Sequence, residues 1–495
     1  MQIKPIKSFR EYVDILKQHN DVVSITQEVD WDLEMSAIAR RAYDLPAPAP
    51  LFKNIKGCTP GFEKLGAPVG LSPGKYPYLR VALSLGLPID TPPPAIVEAW
   101  SYLPDVKPIP PRAVETAVCK ENKLFGDEID LTKMPWPFIH VGDGGRYVNT
   151  YGMFIVATPD GRWVNWAISR AMLEGPRTMA GSVIGAQGNF VQDFGTIYNE
   201  WKKIGKDMPY ALVIGADPGI MMAAGYPIPE VNEADIIGGW YGEPIDVIKC
   251  ETNDLYVPAA SEIVIEGVAA IEDIIPEGPM GEYGGYVWAA TRKQAPRFHV
   301  NCVTHRNNPI IPFTVAGYPA EENHTNWGIA IAASIQNALR KKGLPVKQCF
   351  IPMESAVHWC VVTIDRAKQQ IEDDAELCLE IGKTAFATKA GSYVPQILVM
   401  DDDIDSSNIA EVVWALATRH HPDNRIIIPG QRVIPLVSYL KPEEKLDAAT
   451  GKVVYNCLMP SAKLPKDQQH VAAKWCGYPE ELRKHVINNW EKYGF

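Results

Sequence analysis

The order of apolar and polar positions divides the chain into a short mixed N-terminal part, a long strand-rich stretch and a final part in which helices and strands alternate. Residues 9–19 place their apolar side chains on one helical face behind Ser8, a residue type that caps helices, and residues 21–29 alternate as a strand does. Residues 32–43 have the pattern of a second helix. Residues 86–112 are dense in proline, which predicts an irregular and rigid connecting segment.

From about residue 120 the pattern is mostly that of strands. Residues 151–158 and 162–170 are apolar runs on either side of Pro159-Asp160-Gly161, which predicts a hairpin. Residues 193–206 have the periodicity of a helix. Further strands are predicted at 209–216, 245–251, 256–257, 262–265, 298–304 and 310–315. Strands in this arrangement predict a barrel or a sandwich.

The last part of the chain has alternating helical and strand patterns. Residues 322–342 predict a long helix that ends at Gly343 and bridges two domains. The elements predicted beyond it are strands at 360–363 and 397–400 and helices at 366–383 and 409–418, an alternation typical of an α/β domain. Residues 478–493 predict a final amphipathic helix, whose apolar face packs either on a neighbouring subunit or on its own domain.

These elements predict a multidomain α+β protein. The predicted parts are an N-terminal helix and strand region with the proline-rich connector (1–114), a β-barrel-like domain (115–317), a linker helix (318–345) and an α/β domain with the C-terminal helix (346–495). A chain of 495 residues is too long for one ordinary core, which agrees with several domains.

Composition narrows the class of protein. The net charge of −11 argues against general binding to nucleic acid or to an anionic membrane. No apolar run reaches the roughly 18 residues that span a bilayer, and residues 1–10 lack the apolar core of a signal peptide, so we expect a cytoplasmic protein. The nine cysteines are scattered without a Cys-x-x-Cys pair, which predicts reduced thiols. The Gly-x-Gly-x-x-Gly, His-Glu-x-x-His and Gly-x-Ser-x-Gly signatures are absent.

Two carboxylates and the turn between them are the first candidate for chemistry. Glu277 and Glu282 flank Gly278-Pro279-Met280-Gly281. A regular strand would place residues five apart on opposite faces, whereas a turn of this composition can fold both carboxyl groups into one cavity. In a water-poor site they would repel, so that one keeps its proton and can act as a general acid. A surface turn with two solvated glutamates explains the same spacing.

The second strand of the predicted hairpin carries Asn165 and Arg170, which have opposite parity. Both side chains reach one site only if the strand bulges or ends between them. A buried arginine requires an anion, whereas an arginine on an edge strand lies in solvent, and the sequence pattern allows both.

On these motifs the sequence resembles the UbiD-type prenylated-FMN-dependent decarboxylases, a group that includes ferulic acid decarboxylase and decarboxylases of aromatic and heteroaromatic ring acids. The resemblance covers nearly the whole chain and is most specific at residues 276–282 taken together with Arg170. It implies reversible, non-oxidative decarboxylation through a covalent adduct with prenylated FMN, in a flavin-binding, split-barrel-like central domain. The alternatives are a physiological carboxylase that uses the same site in reverse and a plain FMN-binding oxidoreductase.

The resemblance also implies a role for each catalytic residue. Arg170 orients the substrate carboxylate, Glu277 holds Arg170, and Glu282 donates the proton. The residues implied to contact the cofactor are Asn165, Trp166, Ile168, Ser169, Arg170, Gln192, Glu233 and Lys389.

The family fixes the flavin phosphate with a divalent metal, usually held by Asn, His and Glu, with K⁺ nearby. The matching residues here are Asn165, Asp193 and Glu233. Asp193 stands where family members commonly have histidine, after about five extra residues in 185–191. Three oxygen ligands suit Mn²⁺ or Mg²⁺.

By the same resemblance, the substrate wall comprises Asn323, His324, Trp327, Ile434 and Leu436. Trp327 offers stacking, and the two polar side chains offer hydrogen bonds, which favours a planar ring carboxylic acid as substrate. Trp327 as ordinary helix-packing core is the alternative. The expected partners are the ring acid and carbon dioxide, a flavin prenyltransferase that supplies the cofactor, and further copies of the chain in a homodimer or larger homo-oligomer.

Overall fold

A four-stranded sheet organises the N-terminal part of the chain in the computed structural model, which describes residues 3–183, 191–287 and 293–495. Its elements are α1 (Phe9–Gln18), β1 (Val22–Ile25), α2 (Glu34–Asp44), β2 (Ala49–Phe52), β3 (Glu63–Gly66), α3 (Leu79–Ser84) and α4 (Pro93–Trp100), and its fourth strand is Ile310–Phe313. Helix α1 begins where predicted, because the Ser8 side chain accepts a hydrogen bond from the Glu11 backbone N–H at 3.1 Å.

The prediction that residues 86–112 lack regular structure is wrong at helix α4. Pro93 and Pro94 occupy its first turn, where backbone N–H groups have no acceptor within the helix, so proline costs nothing there. Trp100 at the end of the helix is fully buried in the largest hydrophobic cluster. The prolines therefore begin a packed helix.

The strand-rich middle of the chain forms a nine-stranded, antiparallel, half-barrel sheet. Its strands are β5 (Asn122–Phe125), β6 (Tyr147–Asn149), β7 (Gly152–Ala157), β8 (Val164–Ile168), β9 (Ala171–Gly175), β10 (Thr178–Gly181), β11 (Met208–Ile214), β14 (Ile263–Glu277) and β17 (Lys293–His305). The order is β6-β9-β10-β17-β14-β11-β7-β8, with β5 beside β17, and β7 and β8 form the predicted hairpin.

Smaller elements complete the middle part. These are β4 (Arg112–Ala113), α5 (Asp193–Lys203), α6 (Pro218–Ala224), α7 (Glu233–Tyr241), β12 (Asp246–Lys249), β13 (Tyr256–Pro258), β15 (Gly281–Glu282), β16 (Tyr286–Val287) and β18 (Ile310–Phe313), the strand that joins the N-terminal sheet. Helix α5 packs on the sheet through Phe194, whose ring stacks on Phe154 at 5.3 Å between centroids.

The predicted long helix consists of a π-helical turn, Asn323–Trp327, followed by α8 (Gly328–Lys341). Beyond it lie β19 (Val346–Phe350), β20 (Trp359–Ile364), α9 (Asp374–Phe386), β21 (Gln396–Asp401), α10 (Ile409–Arg419), β22 (Arg425–Arg432), α11 (Pro442–Asp447), β23 (Ala449–Cys457) and α12 (Glu480–Asn488). The five strands form one sheet in the order β19-β20-β21-β23-β22, with the three central strands parallel. The chain is thus a multidomain protein of helices and strands, as predicted, whereas the division into those four parts stays a prediction.

The helix predicted at 366–383 begins later than expected, at Asp374. The Asp373 side chain accepts a hydrogen bond from the Ala375 backbone N–H and so caps the helix there. Arg366, at the predicted start, lies in a short 3-10 turn and pairs with Asp401 on β21 at 2.6 Å. That ion pair holds the segment before the helix against the sheet.

The C-terminal helix α12 leaves apolar side chains in solvent. Leu482 and Ile487 on the helix are 47% and 61% exposed, and Trp490 just beyond it is 49% exposed, so the described residues do not cover them. Within the described residues, no helix combines the length and apolar character required to cross a membrane.

Candidate active site

A cavity of about 260 Å³ is lined by both the middle and the C-terminal parts of the chain. The predicted site residues that line it are Asn165, Trp166, Ile168, Ser169, Arg170, Gln192, Asp193, Glu233, Glu282, Asn323, Trp327, Lys389, Ile434 and Leu436. Glu277 and His324 do not line it, and each is buried behind a lining residue that it contacts. Residues more than 200 positions apart in sequence thus meet at one site.

Arg170 joins the two glutamates at this cavity. Its Nε donates to Oε1 of Glu277 at 2.8 Å, its Nη2 donates to Oε2 at 2.9 Å, and its Nη1 contacts Oε1 of Glu282. Burial opposes the charge on Arg170, but Glu282 and Glu277 outweigh it and raise the pKa of the guanidinium. The arginine is therefore a fixed cation, 15% exposed, at the wall of the cavity.

Local backbone structure places these three side chains together. Strand β8 ends at Ile168, so Arg170 and Asn165 both face the cavity despite their opposite parity. Glu277 is the last residue of β14, and a turn returns the chain to Glu282 in β15. The turn begins at Gly278, whose φ of +82° favours glycine.

Some residues that support this arrangement were not found by sequence reasoning. Tyr147 donates its hydroxyl to Oε1 of Glu277 at 3.1 Å. Asp143 accepts a hydrogen bond from the Gly281 backbone N–H at 3.0 Å and thereby holds the turn. The usable signal was a tyrosine and an aspartate within a segment rich in polar and glycine residues, which is too common to single them out.

Asn165 and Glu233 form a polar pair that suits a cation. Asn165 Nδ2 donates to Glu233 Oε1 at 2.9 Å, and the Trp166 backbone N–H donates to Oε2 at 2.9 Å. Asn165 Oδ1 is buried and has no hydrogen-bond partner among the described residues. Burial raises the pKa of Glu233 to about 8, because removal from water disfavours the charged carboxylate. A divalent cation would satisfy both side chains.

Asp193 contacts a lysine in this structure. As the first residue of α5, it pairs through Oδ2 with Lys389 Nζ at 2.5 Å, and the same Nζ donates to the Ile228 carbonyl at 3.0 Å. The extra residues inferred in 185–191 lie outside the described residues, except for Val191. In the described part of the chain, no group of three His, Cys, Asp or Glu side chains is arranged to hold a metal ion. The predicted ligands include only two such residues, Asp193 and Glu233, because the third is Asn165.

Aromatic rings form one wall of the cavity. The Trp327 ring lies edge-on to Tyr283 at 5.4 Å and to Tyr393 at 4.7 Å between centroids. The cavity thus offers flat apolar surface beside the charged group of Arg170.

The structure differs from the expectation for His324. Its Nε2 is 2.8 Å from the Tyr283 carbonyl, and its Nδ1 is 3.1 Å from Oε1 of Glu321, so both ring nitrogens already have protein partners. With its side chain fully buried, His324 supports the wall and does not offer hydrogen bonds to a substrate. Asn323 lines the cavity, and its Nδ2 donates to Glu321 at 3.0 Å.

Three family domains match the chain in order. They are the N-terminal domain of 3-octaprenyl-4-hydroxybenzoate carboxy-lyase over residues 13–100, its Rift-related domain over 112–319 and its C-terminal domain over 324–457. The chain belongs to the UbiD family. It is therefore an enzyme of the carboxy-lyase class, as the sequence predicted.

Two relatives align with this UbiD chain over nearly its whole length. The chain is 41% identical over 492 residues to pyrrole-2-carboxylic acid decarboxylase of Pseudomonas aeruginosa, an alignment that covers 98% of each chain. It is 36% identical over 509 residues to ferulic acid decarboxylase 1 of Saccharomyces cerevisiae, which covers 100% of this chain and 99% of that one.

Solved UbiD structures have the same fold. The UbiD-class enzyme HmfF from Pelotomaculum thermopropionicum, in complex with FMN, superposes with a TM-score of 0.79 at 25% identity and covers 94% of this chain and 97% of its own. Vanillic acid decarboxylase from Sedimentibacter hydroxybenzoicus superposes with a TM-score of 0.83 at 23% identity over 99% and 100% of the two chains. At that identity, the second comparison shows the fold alone.

Proposed function

We propose that this UbiD enzyme catalyses the reversible, non-oxidative decarboxylation of an aromatic or heteroaromatic carboxylic acid with prenylated FMN as cofactor. The observation that carries the proposal is the contact of Arg170 with both Glu277 and Glu282 at one cavity. The relatives named for pyrrole-2-carboxylic acid and ferulic acid support a conjugated acid as substrate.

Decarboxylation leaves an electron pair on carbon that no side chain accepts, and prenylated FMN supplies that electron sink when bound. The HmfF structure, which is a complex with FMN, supports a flavin as the cofactor of this fold. Asn165 and Glu233 would hold Mn²⁺ or Mg²⁺ at the flavin phosphate, because Asn165 Oδ1 has no partner among the described residues and the adjacent Glu233 carboxyl group is buried, and oxygen ligands of this kind suit such a cation. Asp193 is the third proposed ligand, and K⁺ would bind nearby.

Arg170 binds and orients the substrate carboxylate in this proposal. The bidentate pair with Glu277 fixes the guanidinium, so that the group is in place before substrate arrives. The Trp327 ring excludes water from the substrate ring. Glu282 then donates its carboxyl proton to the carbon that has lost carbon dioxide, and in the reverse direction it removes that proton.

Exchange of Glu282 for glutamine tests this role. In protein made together with a flavin prenyltransferase, we expect Glu282→Gln to retain the cofactor, seen by absorbance and mass, and to lose about 10²- to 10⁴-fold in carbon dioxide release. Glu272→Gln is the matched control, since Glu272 lies on β14 with an exposed side chain. Normal turnover by Glu282→Gln would reject the proton-donor role. An active enzyme that contains only unmodified FMN would reject prenylated FMN as the cofactor.

The chain is also proposed to act as a homodimer or larger homo-oligomer. The exposed apolar side chains of α12 support this, because burial against a second copy would remove them from water.

A further inference from the structure

Three tyrosines that line the cavity, Tyr151, Tyr226 and Tyr283, have hydroxyls without a hydrogen-bond partner among the described residues, and Tyr283 is the one next to the proposed proton donor in sequence. Tyr283 follows Glu282 directly, lines the same cavity and is only 3% exposed. Among the described residues, none forms a hydrogen bond with its hydroxyl. A buried hydroxyl without a partner is costly, and its presence at a binding cavity indicates a partner that arrives with the ligand.

The surrounding residues hold Tyr283 in place. His324 donates through Nε2 to the Tyr283 carbonyl at 2.8 Å, and Glu321 fixes the other ring nitrogen of His324. Trp327 packs edge-on against the tyrosine ring. Burial, followed by the charge of Glu282, raises the pKa of Tyr283 above its ordinary value, so the hydroxyl stays protonated at neutral pH. It can therefore donate or accept one hydrogen bond.

The neighbouring groups leave this hydroxyl for the ring of the substrate. In the proposed function, Arg170 binds the substrate carboxylate, and Glu282 donates a proton to the carbon that loses carbon dioxide. Asn323 has its amide nitrogen bonded to Glu321, and both nitrogens of His324 are occupied. Tyr283 directly follows the proposed proton donor in sequence, and its hydroxyl has no partner among the described residues.

We propose that Tyr283 determines substrate specificity by forming a hydrogen bond with a polar group on the substrate ring, such as a ring N–H or a ring hydroxyl. This inference rests on the proposed function and narrows it to ring acids that carry such a group. An acid of the same shape without the group would leave the tyrosine hydroxyl unpaired and would be selected against.

The test compares pyrrole-2-carboxylate, which has a ring N–H, with thiophene-2-carboxylate, which is similar in shape and lacks a donor. We expect Tyr283→Phe to lower the ratio of kcat/KM for the pyrrole acid to that for the thiophene acid by roughly tenfold or more. The loss falls on the pyrrole acid, and the thiophene acid is turned over as well as before or better. Tyr198→Phe is the control, because it removes a buried hydroxyl bonded to the Ala270 carbonyl at 2.8 Å and does not line the cavity.

An unchanged ratio in Tyr283→Phe, with both acids turned over, would overturn the inference and leave the proposed function intact. Failure of the proposed function is different, since the loaded wild-type enzyme would then release carbon dioxide from neither acid. In that case, the binding of both acids to the wild type and to Tyr283→Phe is measured by calorimetric titration. Roughly tenfold weaker binding of the pyrrole acid to the variant, with unchanged binding of the thiophene acid, supports the inference. Equal changes for both acids, or no binding of either, overturn it.

Discussion

Exchange of Arg170 for methionine tests whether the Arg170–Glu277 pair is a buried ion pair that the fold depends on. The Glu277 side chain is 1% exposed and that of Arg170 is 15% exposed, and two hydrogen bonds of 2.8 and 2.9 Å join them. Arg170→Met leaves a buried carboxylate without its cation, which we expect to cost about 3–5 kcal/mol in the free energy of unfolding. The double variant Arg170→Met, Glu277→Gln removes the charge that was left behind. The decrease in the free energy of unfolding of this double variant should be smaller than the sum of the decreases of the two single variants by about 2 kcal/mol or more.

Urea denaturation of cofactor-free protein, followed by tryptophan fluorescence at pH 7, measures these free energies. Arg112 and Asp246 provide a matched control, since they form two similar hydrogen bonds of 2.7 and 3.0 Å with side chains 64% and 42% exposed. For that pair we expect a coupling of about 0–1 kcal/mol, because solvent screens it. Equal couplings for the buried and the exposed pair would refute the reasoning.

Two further predictions concern the cofactor and pH. Asp193→Ala should lower the retention of flavin and divalent metal, measured by absorbance and elemental analysis with Asp207→Ala as control, and unchanged retention would reject Asp193 as a ligand. Burial, reinforced by Arg432, lowers the pKa of Lys452 to about 7. Above that pH, Lys452 keeps its proton in the unfolded chain and loses it in the folded protein. The free energy of unfolding therefore rises by up to about 1.4 kcal/mol per pH unit between pH 7 and 9. Lys452→Met should make the midpoint of urea denaturation rise less steeply with pH than in the wild type. An unchanged dependence on pH would contradict this prediction.

Much of the fold was predictable because its signals are local. The apolar face of α1 and its Ser8 cap are set by neighbours in sequence, as is the hairpin at Pro159-Asp160-Gly161. Proline density alone does not predict helix α4, because prolines in the first turn of a helix begin it, whereas prolines further along would break it. The start of α9 was misplaced because Arg366 is held by a contact with a distant strand.

The catalytic candidates were found through turn chemistry and the family resemblance together. A glycine-rich turn between Glu277 and Glu282 allowed both to reach Arg170, and the structure places all three in contact. The contacts of His324 with the Tyr283 carbonyl and of Asp193 with Lys389 were not predictable, since these partners lie 41 and 196 positions away in sequence. Residue type alone does not distinguish a ligand of substrate or metal from a residue that holds the wall of the site.

Comparison of protein made with and without a flavin prenyltransferase tests the central claim most directly. Both preparations are assayed for carbon dioxide released from a panel of ring acids that includes pyrrole-2-carboxylate, and their bound flavin is identified by mass. The proposed function predicts prenylated FMN and carbon dioxide release only in the first preparation. Equal release by protein that carries unmodified FMN, or none by protein that carries prenylated FMN with any ring acid, would contradict it.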